Sequence, residues 1–389
     1  MHPRTVSANI AVTSSMEVPL KVLVMATCRW WNATAEGALL GARALERAGI
    51  GVLLTGQPGS PILDRAGSAG IEAAPLRLQG ASIAMGLASL RWLLGIFRPD
   101  FIIAHRSEDQ LAAALTHGRI PVVRVRSDIR RPSGSPLARL VDSQTALEAY
   151  SSPFMARTGY GRGRRGPAAV VPQPVDTDLF RPGPGGPPGV FVMAARLSEV
   201  KGHGTALRAL RDAPPARLVV AGADAQLTRG DLLHEAEALG VSGRVEFTGF
   251  LDDIRNAYGR ASIGIVPSLA SEAVSRAALE MMACGLPVLA AATNGLVDTV
   301  ADGRTGLLHP PGDSAVLGRQ MSYLTAHPEV AGLMAARARD ACEALYSLDS
   351  VGLRWRRILE SRPEGWGTGA AAFGYHGWSG EAPPEDGQS

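Results

Sequence analysis

Two carboxylates stand eight positions apart in "SEAVSRAALEMMACGLPVLA", residues 271–290: Glu272 and Glu280. The second lies in an otherwise apolar run, just before a Cys-Gly-Leu-Pro break. If a helix opens near Val274–Ser275, Glu272 precedes its N-terminus and Glu280 lies about two turns inside. Free backbone N–H groups at a helix start carry partial positive charge and suit a phosphate. A carboxylate at each edge of such a site could accept from hydroxyls, Glu272 from a sugar and Glu280 from a ribose. The competing account makes Glu272 a helix-start acid and Glu280 a solvated helix residue. Spacing alone leaves both standing.

A second group lies in "AARLSEVKGHG", residues 194–204, directly after the strand-like "VFVMA". Arg196 and Lys201 are five apart across a short turn. Arg as a planar fork and Lys as a point charge could clamp a diphosphate. Gly202 and Gly204 would let backbone approach closely. The plainer account is an exposed loop with two solvated cations. The chain holds 37 Arg and only 2 Lys, so a lysine at 201 stands out against its composition. A third candidate is His105 in "FIIAHRSED", at the end of a strand. It is either structural or a partner for a sugar hydroxyl that helps an acceptor lose its proton. Three other clusters read as structure. "DTD" at 176–178 suits turn and cap contacts, "LDD" at 251–253 a helix N-cap, and "RVRSDIRR" at 124–131 a solvated loop. The sharper account of the last is a docking site for an anionic acceptor.

The elements that must position these residues follow from periodicity. Short branched runs such as "KVLVMA", "IGVLLTG", "DFIIAH" and "PVVRVR" alternate with helical patterns and Gly, Pro or Asp breaks. That order predicts a parallel sheet covered on both faces. A Gly-Pro-Arg-rich stretch at 159–189 reads as loop and linker with one short strand, "AAVVP". The alternation then restarts and runs to about residue 345. At 389 residues the chain suggests two domains. Residues 1–180 carry 20 basic against 13 acidic side chains, while the whole chain is at +3. A basic first half fits an acidic substrate or an anionic membrane surface. No aromatic-basic interleaving of a nucleic-acid binder is seen. The stretch "SLRWLLGIF" reads as core, with a membrane-facing role as the alternative. Three scattered cysteines make neither a disulfide framework nor a zinc site, and a reducing cytoplasm is the expectation. No signal peptide is visible.

Taken in order, these pieces resemble glycosyltransferase family 4, retaining sugar transferases of the GT-B fold. "AARLSEVKG" is similar to the family's Arg-Leu…Lys-Gly segment. "SEAVSRAALEMMACGLPVLA" resembles its Glu-seven-Glu motif with the Ala-x-Gly-x-Pro-Val ending. "PQPVDTDLF" and "NGLVDTVADGRTGLLHPPGD" resemble its interdomain and following segments. The resemblance implies an α/β chain of two Rossmann-like domains whose parallel sheets face across a cleft. Its divisions are a disordered N-terminus (1–19), an acceptor-side domain (20–175), a donor domain (176–345), a C-terminal helix packing back on the first domain (346–362) and a disordered tail (363–389).

The resemblance further implies that Arg196 and Lys201 hold the donor diphosphate, that Glu272 contacts the transferred sugar and that Glu280 contacts the ribose. Ala273, Val274 and Ser275 would present backbone N–H groups. His105 matches the second His of the family's strand-end His-x-His, the first being Ile103 here. No cofactor and no metal are expected, the nucleotide-diphosphate sugar being the donor substrate. The implied acceptor is a glycan or lipid-linked hydroxyl, with peripheral contact at the inner membrane face. The chain departs from the family at Trp30 and Trp31 after the first strand, at Asn294–Gly295 and Asp298, and at Arg276, where an apolar residue is usual. Two rivals remain: a GT-B nucleotide-sugar 2-epimerase, which needs carboxylates on both cleft faces, and a non-catalytic nucleotide-sugar-binding protein.

Overall fold

The "KVLVM" and "GVLLTG" runs carry the branched residues of strands buried on both faces. They pair in parallel, with Val22 beside Val52 on one side and Phe101 on the other. In this computed structural model, residues 19–78, 83–127, 134–158, 166–270 and 273–362 are described. The expectations for residues 1–18 and 363–389 and for Glu272 lie outside them.

The first lobe runs β1 (Lys21–Met25), α1 (Ala33–Arg47), β2 (Gly51–Gly56), α2 (Pro61–Ser68), β3 (Ala73–Pro75), α3 (Ile83–Phe97) and β4 (Phe101–Ala104). It continues through α4 (Ser107–Thr116), β5 (Val122–Arg126), α5 (Pro136–Ser143), β6 (Leu147–Tyr150), α6 (Pro153–Arg157) and β7 (Ala168–Val170). The second lobe runs β8 (Val190–Ala194), α7 (His203–Arg211), β9 (Arg217–Ala221), α8 (Arg229–Ala238), β10 (Val245–Gly249), α9 (Arg255–Tyr258) and β11 (Ile263–Val266). After it come α10 (Arg276–Ala283), β12 (Val288–Ala291), α11 (Leu296–Thr299), β13 (Gly306–His309), α12 (Ser314–Ala326), α13 (Pro328–Tyr346) and α14 (Leu348–Glu360).

The first sheet has the order β3-β2-β1-β4-β5-β6-β7 and the second β10-β9-β8-β11-β12-β13. Every pairing is parallel. Each sheet reverses direction of growth once, between β1 and β4 and between β8 and β11. Helices must diverge at such a point, which opens a crevice beyond the carboxyl ends of the strands. Helices pack on both faces of each sheet, so each lobe has its own apolar layers.

The chain passes between lobes twice. Val175 bridges to Ser347, and α14 then leaves the second lobe to lie on α1. Gly352 makes this possible, because a Cβ there would collide with the Ala44 carbonyl. Trp355 is buried in the first-lobe core, and Arg356 Nη1 donates to the Ala48 carbonyl at 3.1 Å. Ion pairs add to the same junction: Arg43 with Asp176 at 2.6 Å, and Arg47 with Asp178 and Asp349. Asp176 also accepts from the backbone N–H groups of Asp178 and Leu179, the turn contact expected of "DTD".

Several expectations are corrected. The short strand expected at "AAVVP" is present as β7, but as the edge of the first sheet, paired to β6 through Tyr150 and Val170, rather than in a linker. Its Gly- and Pro-rich surroundings hide its partner from local reading. The N-cap of α9 is Ile254 rather than an aspartate, although Asp253 accepts from Arg255 N at 3.0 Å. The "RVRSDIRR" cluster is not a solvated loop where it is described. Arg124 is buried on β5, and Arg126 pairs with Glu148 at 2.9 Å. "SLRWLLGIF" is core on one side only. Leu90 and Leu94 are buried, whereas Trp92 is 63% and Ile96 62% exposed. Among the described residues no helix is long and apolar enough to cross a membrane.

Trp355→Ala should remove the main apolar anchor of α14 and destabilise the first lobe by about 3–5 kcal/mol. A urea titration followed by fluorescence and circular dichroism should show unfolding beginning at lower denaturant than in the parent.

Candidate functional site

Beyond the carboxyl end of β8, Ala195 and Arg196 lead into a 3-10 turn, Glu199–Lys201, that closes on Gly202. Gly202 has φ 77°, and a Cβ there would run into the carbonyl of Pro267 at the end of β11. The position therefore requires glycine for conformation and for space. Leu269 N donates to the Val200 carbonyl at 2.8 Å and ties the loop after β11 to the same turn. Gly222 serves the other side, since a Cβ on it would meet the Ala195 carbonyl. Two strand ends at the crevice of the second sheet are thus held against one turn.

The loop after β11 leads to α10. Ser275 is its N-cap, and the Oγ accepts from Ala278 N. Met281 packs over Gly264, where a Cβ would not fit, and fixes α10 on β11. The first N–H groups of α10 have no carbonyl of an earlier turn to bind. The result is a cavity of about 410 Å³ lined by Arg196, Lys201, Ser268, Ser275 and Arg276, with Glu36 from the first lobe on its far wall. Val274 also lines it. Arg196 is exposed and has no ion-pair or hydrogen-bond partner among the described residues.

The structure brings Arg196, Lys201, Val274 and Ser275 together. It places three other candidates elsewhere or otherwise. Ala273 is buried against Tyr150, Met155 and Ala168 of the first lobe, as part of the contact between lobes. Glu280 has both carboxylate oxygens engaged: Tyr258 donates to Oε2 at 2.8 Å and Arg276 Nη2 to Oε1 at 3.0 Å. Burial raises its pKa, and Arg276 opposes that shift. The same Arg276 Nη2 lies 2.9 Å from Glu36 Oε1, so one nitrogen joins two carboxylates from two lobes. His105, at the end of β4, lines a separate small cavity of about 30 Å³ with Gly37, Gly41, Ser151 and Gln173. Burial, and then the charge of Arg124, push its pKa down to about 3. Both effects favour the neutral ring.

The first lobe reaches the cavity through Ala33 and Glu36 of α1, and the loop after β1 that leads into α1 is held by polar contacts of its own. Asp109 is buried and accepts from the hydroxyl and the backbone N–H of Thr27. Burial raises its pKa to about 6 against these bonds. Arg106 donates to the Thr27 carbonyl. Trp31 lies under the Arg65 guanidinium at 4.0 Å, while Trp30 is exposed. Asp298 accepts from Phe154 N at 2.5 Å and pairs with Arg157 at 2.7 Å, a second polar tie between lobes. Sequence reading missed Glu36, Tyr258 and the pairing of Arg276 with Glu36 and Glu280. A helix-start acid and a tyrosine in a short helix carry no local signal, although Arg276 was visible as a cation where an apolar residue is usual. Among the described residues no group of three or more His, Cys, Asp or Glu side chains is placed to hold a metal ion.

Two Rossmann-like lobes, joined by a double crossing and facing a cavity at the switch point of the second sheet, define the GT-B fold class. Anabaena HepE, solved with UDP, aligns with a TM-score of 0.75 at 20% identity, covering 88% of this chain and 100% of that one. A glycosyltransferase from Rickettsia africae aligns with a TM-score of 0.74 at 15% identity, covering 89% and 99%. Residues 175–341, the second lobe, match the family model described as glycosyl transferases group 1. D-inositol 3-phosphate glycosyltransferase 2 of Catenulispora acidiphila is 35% identical over 216 residues, 46% of this chain and 50% of that protein. The Mycobacterium tuberculosis D-inositol 3-phosphate glycosyltransferase is 36% identical over 210 residues, 49% and 44% of the two chains. The chain spans about half the length of the curated relatives it matches.

Gly202→Ala should push the Lys201 turn away from Pro267 and open the cation pair. The expected outcome is a folded protein, judged by circular dichroism, whose nucleoside diphosphate affinity by calorimetry falls at least tenfold.

Proposed function

We propose that this protein is a retaining glycosyltransferase that moves a sugar from a nucleotide-diphosphate sugar to an acceptor hydroxyl. The observation that carries the reading is the convergence of Arg196, Lys201 and the start of α10 on one cavity. The difficult step is cleavage of the bond between the anomeric carbon and the diphosphate oxygen. Negative charge grows on the leaving group while the sugar becomes oxocarbenium-like. Fixed cations and helix-start N–H groups stabilise that charge without reorganising, and more strongly in a cleft that excludes water. The acceptor oxygen bonds to the anomeric carbon on the face the diphosphate leaves. Its proton passes to the departing phosphate oxygen. The UDP in the Anabaena structure and the group 1 match of the second lobe support a nucleotide-sugar donor.

On the acceptor side, α3 supports peripheral docking at an anionic inner membrane face and hence a lipid-linked or envelope glycan acceptor. Met85, Trp92 and Ile96 form one outward stripe, continued by Leu115 at the end of α4. A helix that is apolar on its buried and its outer face has an unmet surface. The helix carries no Asp or Glu, and the exposed Arg91 and Arg98 flank the stripe. Apolar insertion beside arginines matches the chemistry of an anionic bilayer.

Arg196→Ala and Lys201→Ala should each lower turnover on the order of 10²–10³-fold. Donor candidates come from thermal-shift screening of nucleotide sugars, and proton NMR of the product should show the donor's anomeric configuration. Near-native turnover in both variants would refute the clamp. Trp92→Ser/Ile96→Ser should lose sedimentation with phosphatidylglycerol vesicles while staying folded and keeping the parent's oligomeric state. Unchanged sedimentation, or a stripe that serves only to dimerise the parent protein, would overturn the membrane reading.

A further inference from the structure

The geometry points to Arg276 as a third cation that binds the donor's diphosphate directly, beside Arg196 and Lys201. This inference rests on the donor-site reading above. Arg276 is the first residue of α10 and lines the same cavity as the other two cations. Its side chain is 17% exposed, so its position is set by its neighbours rather than by water. Both its carboxylate partners are met by a single nitrogen, Nη2. Nε and Nη1 make no hydrogen bond with the described residues, which leaves part of a planar five-donor fork unspent. Glu280 anchors the guanidinium from within α10, and Tyr258 in turn holds Glu280. The cation is therefore pre-oriented at the helix start, where the backbone already favours an anion. A phosphate suits the remaining fork better than water does, because guanidinium–phosphate bonds are planar and charge-assisted.

The Glu36 pair sets the sign of the test. Glu36 is on the first lobe, 31% exposed, and its carboxylate lies against the same guanidinium. A multiply charged diphosphate competes with that single charge and is repelled by it. Removing Glu36 breaks the tie between lobes and also removes the competitor. Arg276→Leu breaks the same tie but removes the phosphate ligand. The two variants separate a direct contact from a merely structural one.

The experiment is calorimetric titration of UDP, GDP and ADP into the full chain. Parent, Arg276→Leu, Arg276→Lys, Glu36→Gln and Arg196→Ala are compared, with melting curves to confirm folding. Arg276→Leu should weaken the preferred diphosphate by about tenfold to a hundredfold, the loss of one charged hydrogen-bonding contact. Arg276→Lys should recover part of the affinity, and Glu36→Gln should leave it unchanged or tighten it. Unchanged binding in Arg276→Leu, or equal weakening in Glu36→Gln, would overturn the assignment. Loss in Arg276→Leu with none in Arg196→Ala would support Arg276 and count against the wider clamp. Failure of the parent chain to bind any of the three would overturn the donor-site reading and this inference with it.

Discussion

The turn at Lys201–Gly202 lies against the carbonyl of Pro267, and the site depends on that close approach. β8 and β11 diverge in their connections at the switch point, so nothing in the sheet itself brings their following loops together. Glycine does so by having no side chain: it takes the positive φ that ends the 3-10 turn and lets two backbones touch. Lys201 is then carried to the end of β11, and the Leu269–Val200 hydrogen bond holds the next loop in register with it. The start of α10 arrives by a separate route, through Met281 seated over Gly264. Gly202 and Gly264, each with a neighbour where a Cβ would stand, thus bring the Lys201 turn and the start of α10 to one cavity.

The junction between lobes has two kinds of contact. On one side α14 lays Trp355, Ile358 and Leu359 into the first-lobe core. Such burial is not exchanged for a ligand, because nothing small in solution replaces it. On the cleft side the ties are ionic and partly exposed: Arg276 with Glu36, and Arg157 with Asp298. Pairs of that kind contribute about 0–1 kcal/mol each and are readily exchanged for another charge. A hinge held by apolar packing and a mouth held by exchangeable charge suit a protein whose lobes admit a charged ligand between them.

Charge is divided between the lobes at the cleft. Cations gather on the second lobe, where a leaving diphosphate would sit. In the first lobe His105 sits in a small cavity of its own, where burial and Arg124 favour the neutral imidazole. Arg124 and Arg126 are spent inside their own lobe, on carbonyls and on Glu148. The basic balance of the first half is therefore not a free field at the site. Its exposed share includes the arginines around the outer stripe of α3.

The sequence alone determined the α/β alternation, the division into two units, and the placing of Arg196, Lys201, Val274 and Ser275 just after strands. These are local properties: branched runs make buried strands, and a strand followed by Gly and a helix leaves donors at its end. It also marked Arg276 as a cation out of keeping with its surroundings. Only the tertiary structure decided that Glu280 is held by Tyr258, that Arg276 reaches Glu36 across the cleft, and that His105 lies apart from the cations. The same holds for α3, whose all-round apolar pattern has no period to say which side faces out, and for β7, a strand legible in the sequence whose partner β6 was not. Each of these depends on groups far apart in the chain, and spacing along a sequence carries no record of which distant side chain will share a wall.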